Sequence, residues 1–197
     1  MVHFQYREQG RIGKCQGDEE FKLRTTPGQR QYEANGKYPS VLSVNTDGSI
    51  TTTKVGYGGI FRDYLGRPTF AYCGGAAEDT ITAIEVEDIT VGLELAIQMG
   101  YNKVCVGSDS MQTIDSIKGK TQPTWRAKYM VARTRRAMNN LEMVESEHIV
   151  RETNMCADFL SKLCFSGDSL KVFMSPFCEQ LVNFVNQDAV GILYSRM

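Results

Sequence analysis

At 197 residues the chain has room for one domain of ordinary size with a full core, and its 42% hydrophobic and 23% charged content is ordinary for a globular protein. The formal net charge of −1 names no partner, and no apolar run approaches the ~20 residues a bilayer span needs, so no membrane partner is expected. Six scattered cysteines without a Cys-x-x-Cys pair, several inside apolar runs, read as reduced, buried thiols rather than a zinc site or a disulfide frame.

Residues 1–40 are rich in Gln, Gly, Arg and Glu with no sustained period, and read as an extended or partly disordered arm. Met1–Lys14 lacks the apolar core of a secretory signal, and Glu8, Asp18, Glu19 and Glu20 argue against a transit peptide. The expected location is intracellular, in cytoplasm or nucleus, with an organelle as the remaining alternative. From residue 41 the pattern changes. Val41–Asp47, Lys54–Arg62 and Pro68–Cys73 read as three strands joined by tight turns, an antiparallel meander.

A helix is predicted over Ala83–Met99, where Val86, Ile89, Leu93, Ala96 and Ile97 form a stripe and Gly100 supplies a stop. Lys103–Ser108 is a short buried strand and Ser110–Ile117 a short helix. Pro123 is expected to open a long helix with the inward stripe Ala127, Met130, Val131, Thr134, Ala137, Met138 and Leu141. Met143–Val150 alternates as a fifth strand, Asn154–Leu163 is helical, and a last helix is expected over Pro176–Asn186. The element order describes a mixed α/β layer fold.

Four acids stand out by position. Asp47 ends the first strand, Asp109 follows the strand Lys103–Ser108, and Asp158 lies in the helix after the fifth strand. On the Ala83–Met99 helix Glu85, Glu87 and Asp88 compete. At about 100° per residue from Glu85, the stripe Val86, Ile89, Leu93 and Ala96 falls between roughly 20° and 100°, while Glu87 sits near 200° on the polar face. Glu85 therefore borders the core, where a charge is costly unless paired or metal-bound. Carboxylates converging on one spot would repel, and a divalent cation such as magnesium resolves the repulsion. Each acid alone also has a plain structural reading: Asp47-Gly48 as a turn, Asp109-Ser110 as a helix N-cap, Asp158 as solvated surface.

Between Ser116 and Leu141 there is no acidic residue, while Lys118, Lys120, Arg126, Lys128, Arg133, Arg135 and Arg136 are all present. This reads as a phosphate-contacting surface, against the alternative of a solvated basic face. Trp125, the only tryptophan, reads as a packing residue.

Taken in order, "NTDGS" at Asn45–Ser49, "GYGGIFRDYLGRP" at Gly56–Pro68, Glu85 ahead of "GLELA" at Gly92–Ala96, "SDS" at Ser108–Ser110 and "HIVRETNMCADFL" at His148–Leu160 resemble the plant ribonuclease-H-like domain family. That family is kin to the ribonuclease H domains of retroelement reverse transcriptases. The likeness is strong over about 41–162 and weaker to "DAVGILYSR" at Asp188–Arg196. It implies an α/β ribonuclease H-like fold, a five-stranded mixed sheet with helices on both faces, over 41–164, with 165–197 as a C-terminal helical extension.

The resemblance also implies a catalytic, metal-binding set of Asp47, Glu85, Asp109 and Asp158, with His148 assisting proton transfer or product release. Two magnesium ions, with manganese as the alternative, would serve hydrolysis of the RNA strand of an RNA–DNA hybrid. Gly48 and Ser49 would border the nucleic acid, Gly48 because it lacks a side chain. The hairpin turn then falls at Thr51–Lys54. Two departures from the family stand out: Ile84 where alanine usually precedes the glutamate, its bulk bearing on the placement of Glu85, and Gly107 where an acid is common. The rival reading is a non-catalytic nucleic-acid-binding module of the same fold, binding hybrid or structured RNA within a ribonucleoprotein assembly. A 3′–5′ exonuclease is disfavoured by the order and spacing of the acids.

Overall fold

The computed structural model describes residues 41–52, 54–77, 80–164, 167 and 169–190. The arm expected over 1–40 and the end of the tail motif lie outside the described residues. The elements are β1 (Leu42–Ile50), β2 (Val55–Arg62), β3 (Pro68–Gly75), α1 (Ile81–Gln98), β4 (Lys103–Ser108), α2 (Met111–Ile117), α3 (Lys128–Asn139), β5 (Met143–His148), a 3-10 turn (Arg151–Thr153), α4 (Met155–Ser161), β6 (Lys171–Met174) and α5 (Glu179–Val190).

The strands form one sheet in the order β5-β4-β1-β2-β3-β6. β1, β2 and β3 are the antiparallel meander. β4 and β5 add in parallel on one side of β1, and β6 pairs antiparallel with β3 at the other edge. Among the described residues six strands stand where five were expected. The sixth, Lys171–Met174, falls in the segment read as helical. Its four residues are too few for a period to declare itself, and pairing with β3 fixes their extended form.

Alternation along the strands sends side chains to two cores. Leu42 and Val44 of β1, Tyr57 and Phe61 of β2, and Phe70 and Tyr72 of β3 meet α1 and α3 on one face. Ile60 and Ala71 meet Cys156 and Leu160 of α4 and Leu181 and Val185 of α5 on the other. α1 is buried along most of its circumference because the sheet lies beneath it and α3 above it. It ends where Gly100 takes φ 85 and donates its N–H to the Ile97 carbonyl, while Tyr101 N–H reaches Ala96.

α4 lies unusually close to the sheet. A Cβ on Gly58 would stand 2.6 Å from Leu160, and one on Gly56 2.6 Å from the Ser161 carbonyl oxygen. Gly56 and Gly58 of "GYGG" are thus where helix and strand backbones touch, while Gly59 faces the Tyr72 ring. α4 is further tied to β1 by Asn154, whose Nδ2 donates to the Thr46 carbonyl at 2.9 Å. α5 is anchored through Asp188, which accepts from buried Arg62 of β2 at 2.8 Å and from the Cys156 thiol at 3.1 Å. Among the described residues no helix is long and apolar enough to cross a membrane.

Helix α3 begins at Lys128, not at Pro123. Residues 123–127 lie outside it, so Trp125 is not turned toward the stripe and is 79% exposed rather than packed. The stripe itself holds: Ala127, Met130, Val131, Thr134 and Ala137 are buried.

Candidate active site

β1 does not end at Asp47. It runs on to Ile50, and the turn follows at Thr51, whose N–H donates to the Lys54 carbonyl at 2.7 Å. The neighbouring strand β4 is the one that stops, at Ser108 opposite Thr46. Past that point β1 has a partner on one side only, and the gap beside Asp47 is filled by acids. Asp109 enters it as the residue after β4, and Glu85 descends from the first turns of α1. One carboxylate oxygen from each of Asp47, Glu85 and Asp109 lies within 4.8 Å of the others.

The plain structural readings of these residues give way. The turn lies beyond Asp47, and the cap of α2 falls to Ser110, whose Oγ accepts the Thr113 N–H. Glu85 is 4% exposed, and the Ser108 hydroxyl donates to its Oε2 at 3.2 Å. The Gly48 backbone N–H also donates to the Glu85 carboxylate. Ile84 is accommodated by Gly48: a Cβ there would meet Ile84 Cγ2 at 2.9 Å. Gly48 is buried, so its bare Cα makes room for α1 and not for a phosphate, while Ser49 beside it is half-buried.

Burial and mutual repulsion dominate the electrostatics. Burial, then the Asp109 charge, pushes the Asp47 carboxyl up to about 7. Burial, then Asp47 and Asp109, pushes Glu85 up to about 9. Asp109 is also raised, chiefly by burial, with Arg151 opposing the shift. The group lacks enough positive charge of its own to ionise at ease at neutral pH. Oxygen-only donors with that deficit suit a hard divalent cation.

Asp158 stands apart from this group. Lys162 Nζ holds its Oδ1 at 2.6 Å, and Arg151 approaches at 3.7 Å while also facing Asp109 at 3.9 Å. His148 closes β5 in register with Ser108, and its Nε2 lies 3.1 Å from the Asp109 backbone carbonyl, at the exposed rim.

Two supporting residues escape a reading of the sequence. The Ser161 hydroxyl, at the end of α4, donates to Asp47 Oδ2 at 3.0 Å. Asp88 is fully buried and its Oδ2 accepts the Asp47 N–H at 2.7 Å. Burial drives the Asp88 carboxyl well above the usual range. On the α1 wheel Asp88 falls near 300°, outside the apolar arc, so periodicity marks it as polar surface. The available signal was the sheet edge, where a strand N–H without a strand partner needs an acceptor.

The basic segment divides. Arg133 is committed to Glu94 through two bonds of 2.8 and 2.6 Å, and Lys120 pairs with Asp115. Arg135 donates to the carbonyls of Ile117 and Ser116 at the end of α2. Glu94 lies on α1 and the other partners on α2, so the two carboxylates come from outside the acid-free window. Lys118, Lys128 and Arg136 are exposed, as is Tyr129, and the Arg126 guanidinium stands 4.9 Å from the centre of the exposed Trp125 ring.

The sequence profile described as reverse transcriptase-like matches residues 45–164. No curated protein matches the chain. Among solved structures, ribonuclease H1 from the halophilic archaeon Halobacterium salinarum is similar at 18% identity and TM-score 0.59, covering 61% of this chain and 94% of its own. The N-terminal ribonuclease H domain of a Mycobacterium tuberculosis protein, solved as a fusion, is similar at 17% and 0.58, covering 62% and 91%. LC11 ribonuclease H1, solved in complex with an RNA/DNA hybrid, is similar at 22% and 0.58, covering 63% and 96%. The fold is that of ribonuclease H.

Proposed function

From a chain that belongs to the reverse transcriptase-like family, we propose a metal-dependent endonuclease that hydrolyses the RNA strand of RNA–DNA hybrids. The observation that carries this reading is the convergence of Asp47, Glu85 and Asp109 within 4.8 Å. In a two-ion arrangement Asp47 would serve both ions, Glu85 and Asp109 would complete one set, and Asp158, released from Lys162, the other. Bound there, magnesium or manganese would supply the Lewis-acid charge for phosphodiester hydrolysis.

The chain's own residues prepare the site. Asp88 fixes the Asp47 backbone and Ser161 fixes its carboxylate, so the oxygen positions are set before substrate arrives. Ser108 orients Glu85. His148 at the rim would deliver a proton toward the leaving 3′ oxygen. Lys118, Lys128 and Arg136 would contact backbone phosphates, and exposed Trp125 and Tyr129 would offer stacking faces. The likeness to a ribonuclease H1 solved with a hybrid supports the choice of substrate class.

A second reading, a non-catalytic nucleic-acid-binding module within a ribonucleoprotein assembly, has one observation in its favour. Asp158 is already neutralised by Lys162 and faced by Arg151, so the fourth acid is engaged elsewhere. Cleavage of labelled hybrid, RNA duplex and single strands, with magnesium, manganese or chelator, separates the two. Metal-dependent cutting of the RNA strand of the hybrid is expected, with a loss of at least ~100-fold in a folded Asp47→Asn variant. Binding without cleavage under either metal would favour the module.

A further inference from the structure

Cys73 and Cys164 meet where α4 presses on the sheet. Cys73 lies in β3 opposite Gly58 of β2, on the face that α4 covers. The missing side chain at Gly58 lets Leu160 and Ser161 sit on the strand. Gly56 extends the same contact, since a Cβ there would meet the carbonyl oxygens of Ser161 at 2.6 Å and Cys164 at 3.2 Å. The backbone at Cys164 is thereby held against β2, and its sulfur is set over Cys73. The two Sγ atoms are 2.8 Å apart, both side chains are fully buried, and 91 positions separate them in sequence. A covalent bond requires about 2.05 Å, so closing it asks for a movement of under ~1 Å from elements already fixed in place.

We propose that Cys73 and Cys164 are a modification site: a thiol pair that a small-molecule disulfide converts into an intramolecular disulfide. One thiolate attacks the external disulfide, breaks its S–S bond and releases one small thiol. The second then displaces the other small thiol as the Cys73–Cys164 bond forms. Two cysteine thiols are oxidised by two electrons, the external disulfide is reduced to two thiols, and the two protons pass to those leaving groups. Because both sulfurs are buried, the oxidant reaches them only through a local opening of the packing between α4 and the sheet, and the reaction is slow. The product staples the end of α4 to the sheet. It holds Ser161, which bonds Asp47, and Asp158 one turn earlier. The proposal does not depend on which reaction the acids perform.

The test uses the full chain, incubated either with glutathione disulfide or with dithiothreitol, then alkylated, digested and analysed by mass spectrometry. The expected result is one linked peptide pair carrying Cys73 and Cys164 in the oxidised sample alone. The oxidised protein should also melt roughly 10 °C higher than the reduced one. That rise should vanish in Cys164→Ser and in Cys73→Ala. Recovery of both residues as alkylated thiols, or as separate mixed disulfides with glutathione, would overturn the proposal. So would an equal rise in melting temperature in either variant. The peptide result is read on the wild-type chain and does not require the variants to fold.

Discussion

At the scale of single residues, buried carboxylates that face one another prefer their protonated forms, and that preference sets how the fold responds to pH. Asp47 rises from 3.8 to about 7 and Glu85 from 4.5 to about 9, so across that window the folded chain binds protons that the unfolded chain has released. Stability contributed by these groups is therefore greatest at low pH and falls as pH climbs from about 4 toward 9. Asp88 and Asp109 are raised too and act in the same direction. Thermal melts of metal-free protein are expected to show the melting temperature falling by several degrees between pH 6 and pH 9. The fall should be smaller in Glu85→Gln, and magnesium should restore the loss. The sign reverses for metal: binding requires the ionised carboxylates, so affinity measured by calorimetry should increase over the same range, with protons released. A flat melting temperature in the wild type, matching Glu85→Gln, would contradict this account of the pair.

At the scale of elements, α4 is the part whose placement decides the site. It has seven residues, too few to form a stable helix alone, and it is defined by what it leans on. Asn154 holds its first turn to β1, Ser161 its last turn to Asp47, and Gly56 and Gly58 provide the flat strand beneath. A methyl at residue 58 would stand 2.6 Å from Leu160 backbone and Cβ, with no flexible side-chain end to yield. Gly58→Ala should therefore lift α4 off β2 and cost about 1–3 kcal/mol, read as a drop in melting temperature of roughly 3–10 °C. A melting temperature equal to wild type would show that helix and strand tolerate separation.

At the scale of the whole molecule, six of the seven basic residues in one segment resolve into two populations, and the seventh, Arg126, lies against the Trp125 ring. Arg133 ties α3 to α1 and Arg135 ties α3 to α2, while Lys120 pairs with Asp115 of α2, the helix it follows. Lys118, Lys128 and Arg136 are exposed, in the segment that also carries exposed Trp125 and Tyr129. If these three neutralise phosphates, the affinity for hybrid falls with salt, and each Lys→Ala or Arg→Ala change reduces the log–log slope by about 1. Fluorescence anisotropy at several ionic strengths measures it. An unchanged slope in Lys118→Ala, Lys128→Ala and Arg136→Ala would place the binding surface elsewhere. Arg133→Ala is expected to act on stability instead, since it strands the half-buried Glu94.

Periodicity and punctuation along the chain determined much of this protein. The three-strand meander, the long central helix with its stop at Gly100, the existence of the two later strands and the choice of Glu85 over Glu87 all rest on local pattern, because burial of one face imposes a repeat that a sequence must carry. Other features have no local signature. β6 exists because β3 offers it an edge. Trp125 is exposed because α3 starts at Lys128 rather than at Pro123. Gly48 serves Ile84, and the acid-free window hides Arg133, whose carboxylate partner Glu94 comes from α1. Asp88, polar by its place on the helix wheel, is buried because the sheet and α3 enclose α1 on both sides and the Asp47 N–H needs an acceptor. Such pairings join residues many positions apart, and only the closed tertiary structure, which decides what is buried and what is left to bond, could assign them.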